Sequence, residues 1–132
     1  MRWRTRSNFG DSRLSDLVQR VGMFIRQRLT DAVPPDFYPQ VIASTEGESY
    51  LAVLAALYVL EERGLVMHKY GVFCSVDNSL IGEEDTLDKA RGLRAQCDSC
   101  EKYRSATMED VYIDLYFVAD KNKVLMFWPE AA

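Results

Sequence analysis

Phe73-Cys74-Ser75-Val76-Asp77 is answered farther along the chain by Gln96-Cys97-Asp98-Ser99-Cys100, and these two stretches hold all three cysteines. Each has a Cys-x-x-Cys frame, except that Asp77 stands where a fourth cysteine would complete the pattern. A tight Cys-x-x-Cys turn can aim two side chains at one point, and two such turns can close a tetrahedron around a Zn²⁺ ion, which accepts thiolate, imidazole or carboxylate ligands. The reading is one structural zinc held by Cys74, Cys97 and Cys100, with Asp77 or His68 as the fourth ligand. Metal binding contributes on the order of 10 kcal/mol in small zinc modules, which is comparable with the ~5–15 kcal/mol total stability of a domain. The alternative is a pair of turns without metal, their cysteines packed as small apolar side chains.

Outward from this pair, the chain is of globular composition. Its 132 residues are 48% hydrophobic and 27% charged, which is far from the disordered regime and enough for a real core. No apolar run approaches the ~20 residues of a membrane span, and the charged start Met1-Arg2-Trp3-Arg4-Thr5-Arg6 is followed by polar residues rather than a signal core. A cytoplasmic protein is expected, in which clustered thiols point to metal rather than disulfides. The net charge of -4 is unevenly spread: residues 1–30 hold seven arginines against Asp11 and Asp16, and the rest of the chain is acidic. An arginine-rich arm can track phosphates or neutralise the acidic body of its own or a neighbouring subunit.

Before the first turn, the periodicity is helical. Leu14, Leu17, Val18, Val21, Phe24, Ile25 and Leu29 gather on one stripe, predicting a helix over 11–30 that ends before Pro34-Pro35. A short helix is expected from Asp36 to about Ser44 with Phe37, Val41 and Ile42 buried, then a turn at Gly47. A third helix runs to Arg63 with Leu51, Leu54, Ala55, Tyr58, Val59 and Leu60 as its core face, and Gly64 stops it. Leu65-Val66-Met67-His68 follows as a strand.

Tyr38-Pro39-Gln40-Val41-Ile42-Ala43, the turn at Gly47, and Ala52 through Leu60-Glu61-Glu62-Arg63-Gly64-Leu65-Val66 together resemble a winged helix-turn-helix domain over about residues 12–75. The resemblance implies a recognition helix passing into a wing, in a family whose members bind DNA or only protein. Direct readout of bases wants Arg, Lys, Asn or Gln on the exposed side of that helix. Here it offers Glu48, Ser49, Glu61 and Glu62, with Arg63 alone basic at the far end. Carboxylates facing a polyanion are repelled, so Tyr50, Val53, Ala56 and Leu57 are expected to form an exposed patch for a protein partner. In a nucleic-acid reading, Arg2, Arg4, Arg6, Arg63 and Lys69 would carry the contacts.

In the second half, Tyr70, Val72 and Cys74 alternate as a strand into the first cysteine turn, and Leu80-Ile81 return from it. A helix over 87–95 leads to Cys97, residues 101–108 read as irregular, and 111–118 is a strand. Asp120-Lys121-Asn122-Lys123 is expected to turn it into a final strand, Val124–Trp128, completing a hairpin. Strand, ligand turn, helix, ligand turn and strand are similar to a zinc ribbon with a helical insertion over about 70–118. The expected fold is α+β: a winged-helix-like part at 1–69 and a small antiparallel zinc-ribbon-like part at 70–132.

No catalytic residue is read: no His-x-Glu precedes the second cysteine turn, no glycine loop has a phosphate-binding frame, and His68 is the sole histidine. The function expected is a non-catalytic adaptor or regulator binding a larger effector protein or a second copy of itself. The resemblance suggests a place among the small proteins found beside larger effectors in bacterial regulatory and defence loci. The alternatives are a DNA-binding transcription regulator and a single-strand binder in which Tyr103, Tyr112 and Tyr116 stack bases beside Arg104.

Overall fold

The apolar stripe of the first helix decides where the first core lies. A computed structural model of the chain describes residues 2–30, 36–97, 103–105 and 110–129, with side chains from residue 13 onward except those of 30, 96, 103 and 104. Helix α1 spans Arg2–Thr30, beginning at Arg2 rather than Asp11. It buries Leu17, Val18, Val21, Ile25 and Leu29, the stripe that the sequence predicts. Among the described residues no helix is long and apolar enough to cross a membrane.

The second helix starts later than expected. Tyr38 precedes proline and is therefore extended, at φ -102° and ψ 135°. Pro39, with its fixed φ, then opens α2 (Pro39–Glu46). Asp36–Phe37 is instead a two-residue strand, β1. Ile42 is buried and Val41 is not. Helix α3 (Tyr50–Glu62) has both expected ends: the Ser49 hydroxyl accepts from Ala52 N–H, and Gly64 takes the left-handed φ of 76° that terminates it.

The face of α3 is a correction. Its buried stripe is Val53, Ala56, Leu57 and Leu60, all 0% exposed, whereas Leu51 is 75% exposed. Both sets recur at three- and four-residue steps, so a helix apolar on nearly every side carries two equivalent stripes, and only packing chooses between them. Val53, Ala56 and Leu57 therefore form core rather than the expected partner patch. Tyr50 alone of that set lies at the surface.

Strand β2 runs Val66–Cys74 and returns, through the turn at 75–79, as β3 (Leu80–Glu84), with Tyr70 opposite Glu84 and Gly71 opposite Glu83. Helix α4 (Leu87–Arg91), capped by Thr86, is shorter than expected. It is followed by β4 (Arg94–Gln96), which pairs antiparallel with β5 (Tyr103–Ser105), a strand inside the stretch expected to be irregular. Strand β6 (Val111–Ala119) holds Phe117 opposite Phe37 of β1. The sheet order is β1-β6-β2-β3.

The expected C-terminal hairpin is replaced by a helix, α5 (Lys121–Phe127). Asp120 is its cap, the carboxylate accepting from Lys123 N–H. Val124 and Trp128, four residues apart, are buried while Met126 and Phe127 are exposed, a helical rather than alternating pattern. A five-residue apolar run does not distinguish the two by itself.

The chain forms two units, Met1–Met67 with Phe117–Ala132, and His68–Tyr116. The first is a mixed α+β unit in which α1 packs on α3 and α5. At that contact the Trp128 ring lies over Gly22, its indole N–H donates to Gln19 Oε1 (3.2 Å), and Arg26 Nε donates to the Trp128 carbonyl (2.7 Å). The second has its own core of Val72, Ala90 and Val111, flanked by Tyr70, Ile81, Leu93 and Ile113.

Candidate metal centre

Cys74 is the last residue of β2, and the next five residues form the turn that carries Asp77. Two backbone bonds close this turn: Cys74 N–H donates to Ser79 O (2.9 Å) and Asn78 N–H to Cys74 O (2.7 Å). Asn78 takes φ 60°, a left-handed conformation that asparagine tolerates better than most residues. Its Oδ1 accepts from the Tyr112 hydroxyl (3.1 Å), and the Tyr112 ring stacks on Phe73 at 5.2 Å. Ser75 N–H donates to Asp110 O (2.8 Å), tying the turn to the start of β6. The turn is held from several sides before any metal is considered.

Strand β4 delivers Cys97 to the same place. The ligand atoms of Cys74, Asp77 and Cys97 all lie within 4.8 Å of one another. Both thiols are buried, at 0% and 1% exposure, and the carboxylate is at the surface. A tetrahedral zinc with metal–sulfur bonds of about 2.3 Å has ligand–ligand edges of about 3.8 Å, so contraction by roughly an ångström would bring the three onto one ion. Two sulfurs and a carboxylate oxygen form a donor set that a borderline-soft divalent cation accepts. The group could hold a metal ion.

Ser79 is the residue that sequence reading missed. Its hydroxyl lies 2.6 Å from Asp77 Oδ1 and 3.2 Å from Cys97 Sγ, and its N–H also donates to Asp77 Oδ1 (3.0 Å). An ionised carboxylate only accepts, so the hydroxyl proton points to Asp77 and the Cys97 thiol donates to Ser79 Oγ. The serine thus orients two of the three candidate ligands, as groups behind a metal's ligands commonly do. The sequence signal was Asp-x-Ser, which reads as ordinary turn chemistry because the thiol it reaches is distant in the chain.

Cys100, expected as the remaining thiolate, lies outside the described residues. His68, the alternative fourth ligand, is not among the clustered groups; its Nε2 is 2.9 Å from Asp85 O and its ring meets Tyr70 edge-on. The residues of the nucleic-acid reading lie partly outside the described side chains. Arg63 is exposed in the first unit, Lys69 is half-buried in the second, and the side chains of Arg2, Arg4 and Arg6 lie outside the described residues. In the single-strand reading, Tyr112 is exposed, but Tyr116 is buried and its hydroxyl donates to Glu83, so the two offer no shared stacking face. The side chains of Tyr103 and Arg104 are outside the description.

No family model, curated protein or solved structure matches this chain.

Proposed function

We propose that this protein is a non-catalytic adaptor that binds another protein, with a zinc ion at Cys74, Asp77 and Cys97 serving as a staple of its second unit. The observation that carries the adaptor reading is the solvent side of α3. Leu51, Ala55 and Tyr58, spaced four and three residues apart, are exposed there, and from Tyr50 to Glu62 the helix holds no basic residue. An apolar surface ending in Glu61 and Glu62 repels phosphates and offers no donor suited to base edges, but it matches the apolar centre of a protein interface. The relevant surface is thus on the opposite side of α3 from Val53, Ala56 and Leu57.

The proposed metal role is structural because both thiols are enclosed. Catalytic zinc keeps a coordination position open to water and substrate, whereas both of these sulfurs are buried. Cys74, Asp77 and Cys97 would hold the ion, and its contribution would be to join two segments distant in the chain.

The adaptor reading is tested by fluorescence anisotropy against duplex DNA at ~150 mM salt, where non-specific phosphate contacts weaken, together with a photo-crosslinking amino acid placed at position 51 in cells. Adducts to one protein species without DNA binding are the expected result. Micromolar or tighter duplex binding, lost when Arg2, Arg4 and Arg6 become alanine, would overturn it.

A further inference from the structure

The first unit has a second surface feature at the other end of α3. Arg63, Leu65, Lys123, Met126 and Phe127 line a shallow depression of about 320 Å³. Met126 is 81% exposed and Phe127 49%, the former a large apolar side chain left almost wholly in water. The Arg63 guanidinium lies 6.0 Å from the Phe127 ring centroid, and Lys123 Nζ lies 3.7 Å from where a Cβ at Gly64 would stand. No ion pair of either cation is seen among the described residues. Asp120, close to Lys123 in sequence, is engaged as the cap of α5.

Two cations without an ion pair among the described residues border an apolar floor, on a chain of net charge -4, and this combination fits a ligand of opposite charge with an apolar side chain. We infer that this depression captures an acidic, apolar segment of a protein partner, one that seats a leucine or phenylalanine against Met126 and Phe127 and sets carboxylates on Arg63 and Lys123. Arginine forks a carboxylate through two parallel hydrogen bonds, and lysine supplies a point charge to a second one. Burial of one large apolar side chain gives the pair its affinity, while the charges set the choice of partner and the salt dependence. Methionine, flexible and polarizable, suits a floor that must fit more than one apolar residue.

The inference rests on the adaptor reading only in taking the ligand to be a polypeptide, and it uses none of Leu51, Ala55 or Tyr58. The probe is a fluorescein-labelled peptide alternating aspartate with leucine and phenylalanine, titrated with the full chain at low salt and at ~150 mM salt, beside the same peptide with lysine for aspartate and labelled oligo-thymidine. The expected dissociation constant is on the order of 10 µM, weakened at least about tenfold by Arg63→Glu with Lys123→Glu and several-fold by Met126→Ser. Met126→Ser is a surface change that leaves the core intact, so it reads binding even if the charge-reversed protein folds poorly. Equal binding of the lysine peptide, or absence of peptide binding, overturns the inference and leaves the α3 crosslink as a separate test of the adaptor. Tighter binding of oligo-thymidine, lost in the same variants, overturns both.

Discussion

Replacing Gly22 with alanine should destabilise the first unit even though alanine is the better helix former. In the interior of α1 the exchange gains about 1 kcal/mol from helix propensity alone. The added Cβ, however, would fall 2.2 Å from Trp128 Cη2 and 2.3 Å from Cζ2. Carbon contacts are optimal at about 3.5–4.0 Å, so the ring must retreat by more than an ångström. It is poorly free to do so: Trp128 is buried, its N–H is held by Gln19, its carbonyl by Arg26, and Phe127 packs on it edge-on at 4.6 Å. Overpacking of this kind costs roughly 1–3 kcal/mol; at its upper end, as a ring so held implies, the net loss is about 1–2 kcal/mol, or roughly 4–8 °C in Tm per kcal/mol for a unit of this size. The assay is thermal unfolding of four proteins in a double-mutant cycle, with Trp128→Phe as the second change because phenylalanine lacks the two ring carbons nearest Gly22. In the Trp128→Phe background, Gly22→Ala should become stabilising by up to about 1 kcal/mol. A Gly22→Ala protein that melts at or above the wild-type temperature would refute the reasoning.

Three further outcomes are expected. Ser49→Ala should lower stability by about 1 kcal/mol in urea unfolding, because it removes the acceptor for Ala52 N–H, and Ser49→Asp should retain most of that stability. Ser79→Ala should weaken metal affinity by roughly 10- to 100-fold in a competition titration with a chromogenic chelator, since the hydroxyl orients both Asp77 and Cys97. The Arg20 pKa is raised from its ordinary value, chiefly by the hydrogen bond to Glu48. A raised folded-state pKa means that its stabilising contribution is complete below that ordinary value and lost only above it, so Arg20→Met and wild type should differ by a constant amount from about pH 7 to about pH 10 in denaturant melts.

Where one physical signal dominated, the sequence was readable. The α1 stripe is single, so Leu17, Val18, Val21, Ile25 and Leu29 could be placed in the core without knowing what covers them. Ser49 and Gly64 mark the ends of α3 because a cap and a left-handed stop are local devices. The face of α3 was not readable, since Leu51-Ala55-Tyr58 and Val53-Ala56-Leu57-Leu60 satisfy the same periodicity and tertiary packing alone separates them. Val124–Trp128 failed for a related reason: five apolar residues fit a strand as well as a helix, and the deciding facts, the Asp120 cap and the seat of Trp128 over Gly22, depend on α1 far away in sequence. That Cys74, Asp77 and Cys97 come together was legible because two thiol-bearing turns with a carboxylate at matched spacing are an arrangement suited to converge on one point. Ser79 was invisible because nothing local distinguishes a serine that reaches a distant thiol from one that only closes a turn.

The most direct test of the account is the metal content of protein purified without a metal-binding tag, measured by inductively coupled plasma mass spectrometry beside the Cys74→Ser variant. The account predicts about one zinc per wild-type chain, sharply reduced in Cys74→Ser, and a lower melting temperature once a chelator removes it. Wild-type protein that carries no zinc, takes up none when it is supplied, and melts at the same temperature with or without chelator would contradict it.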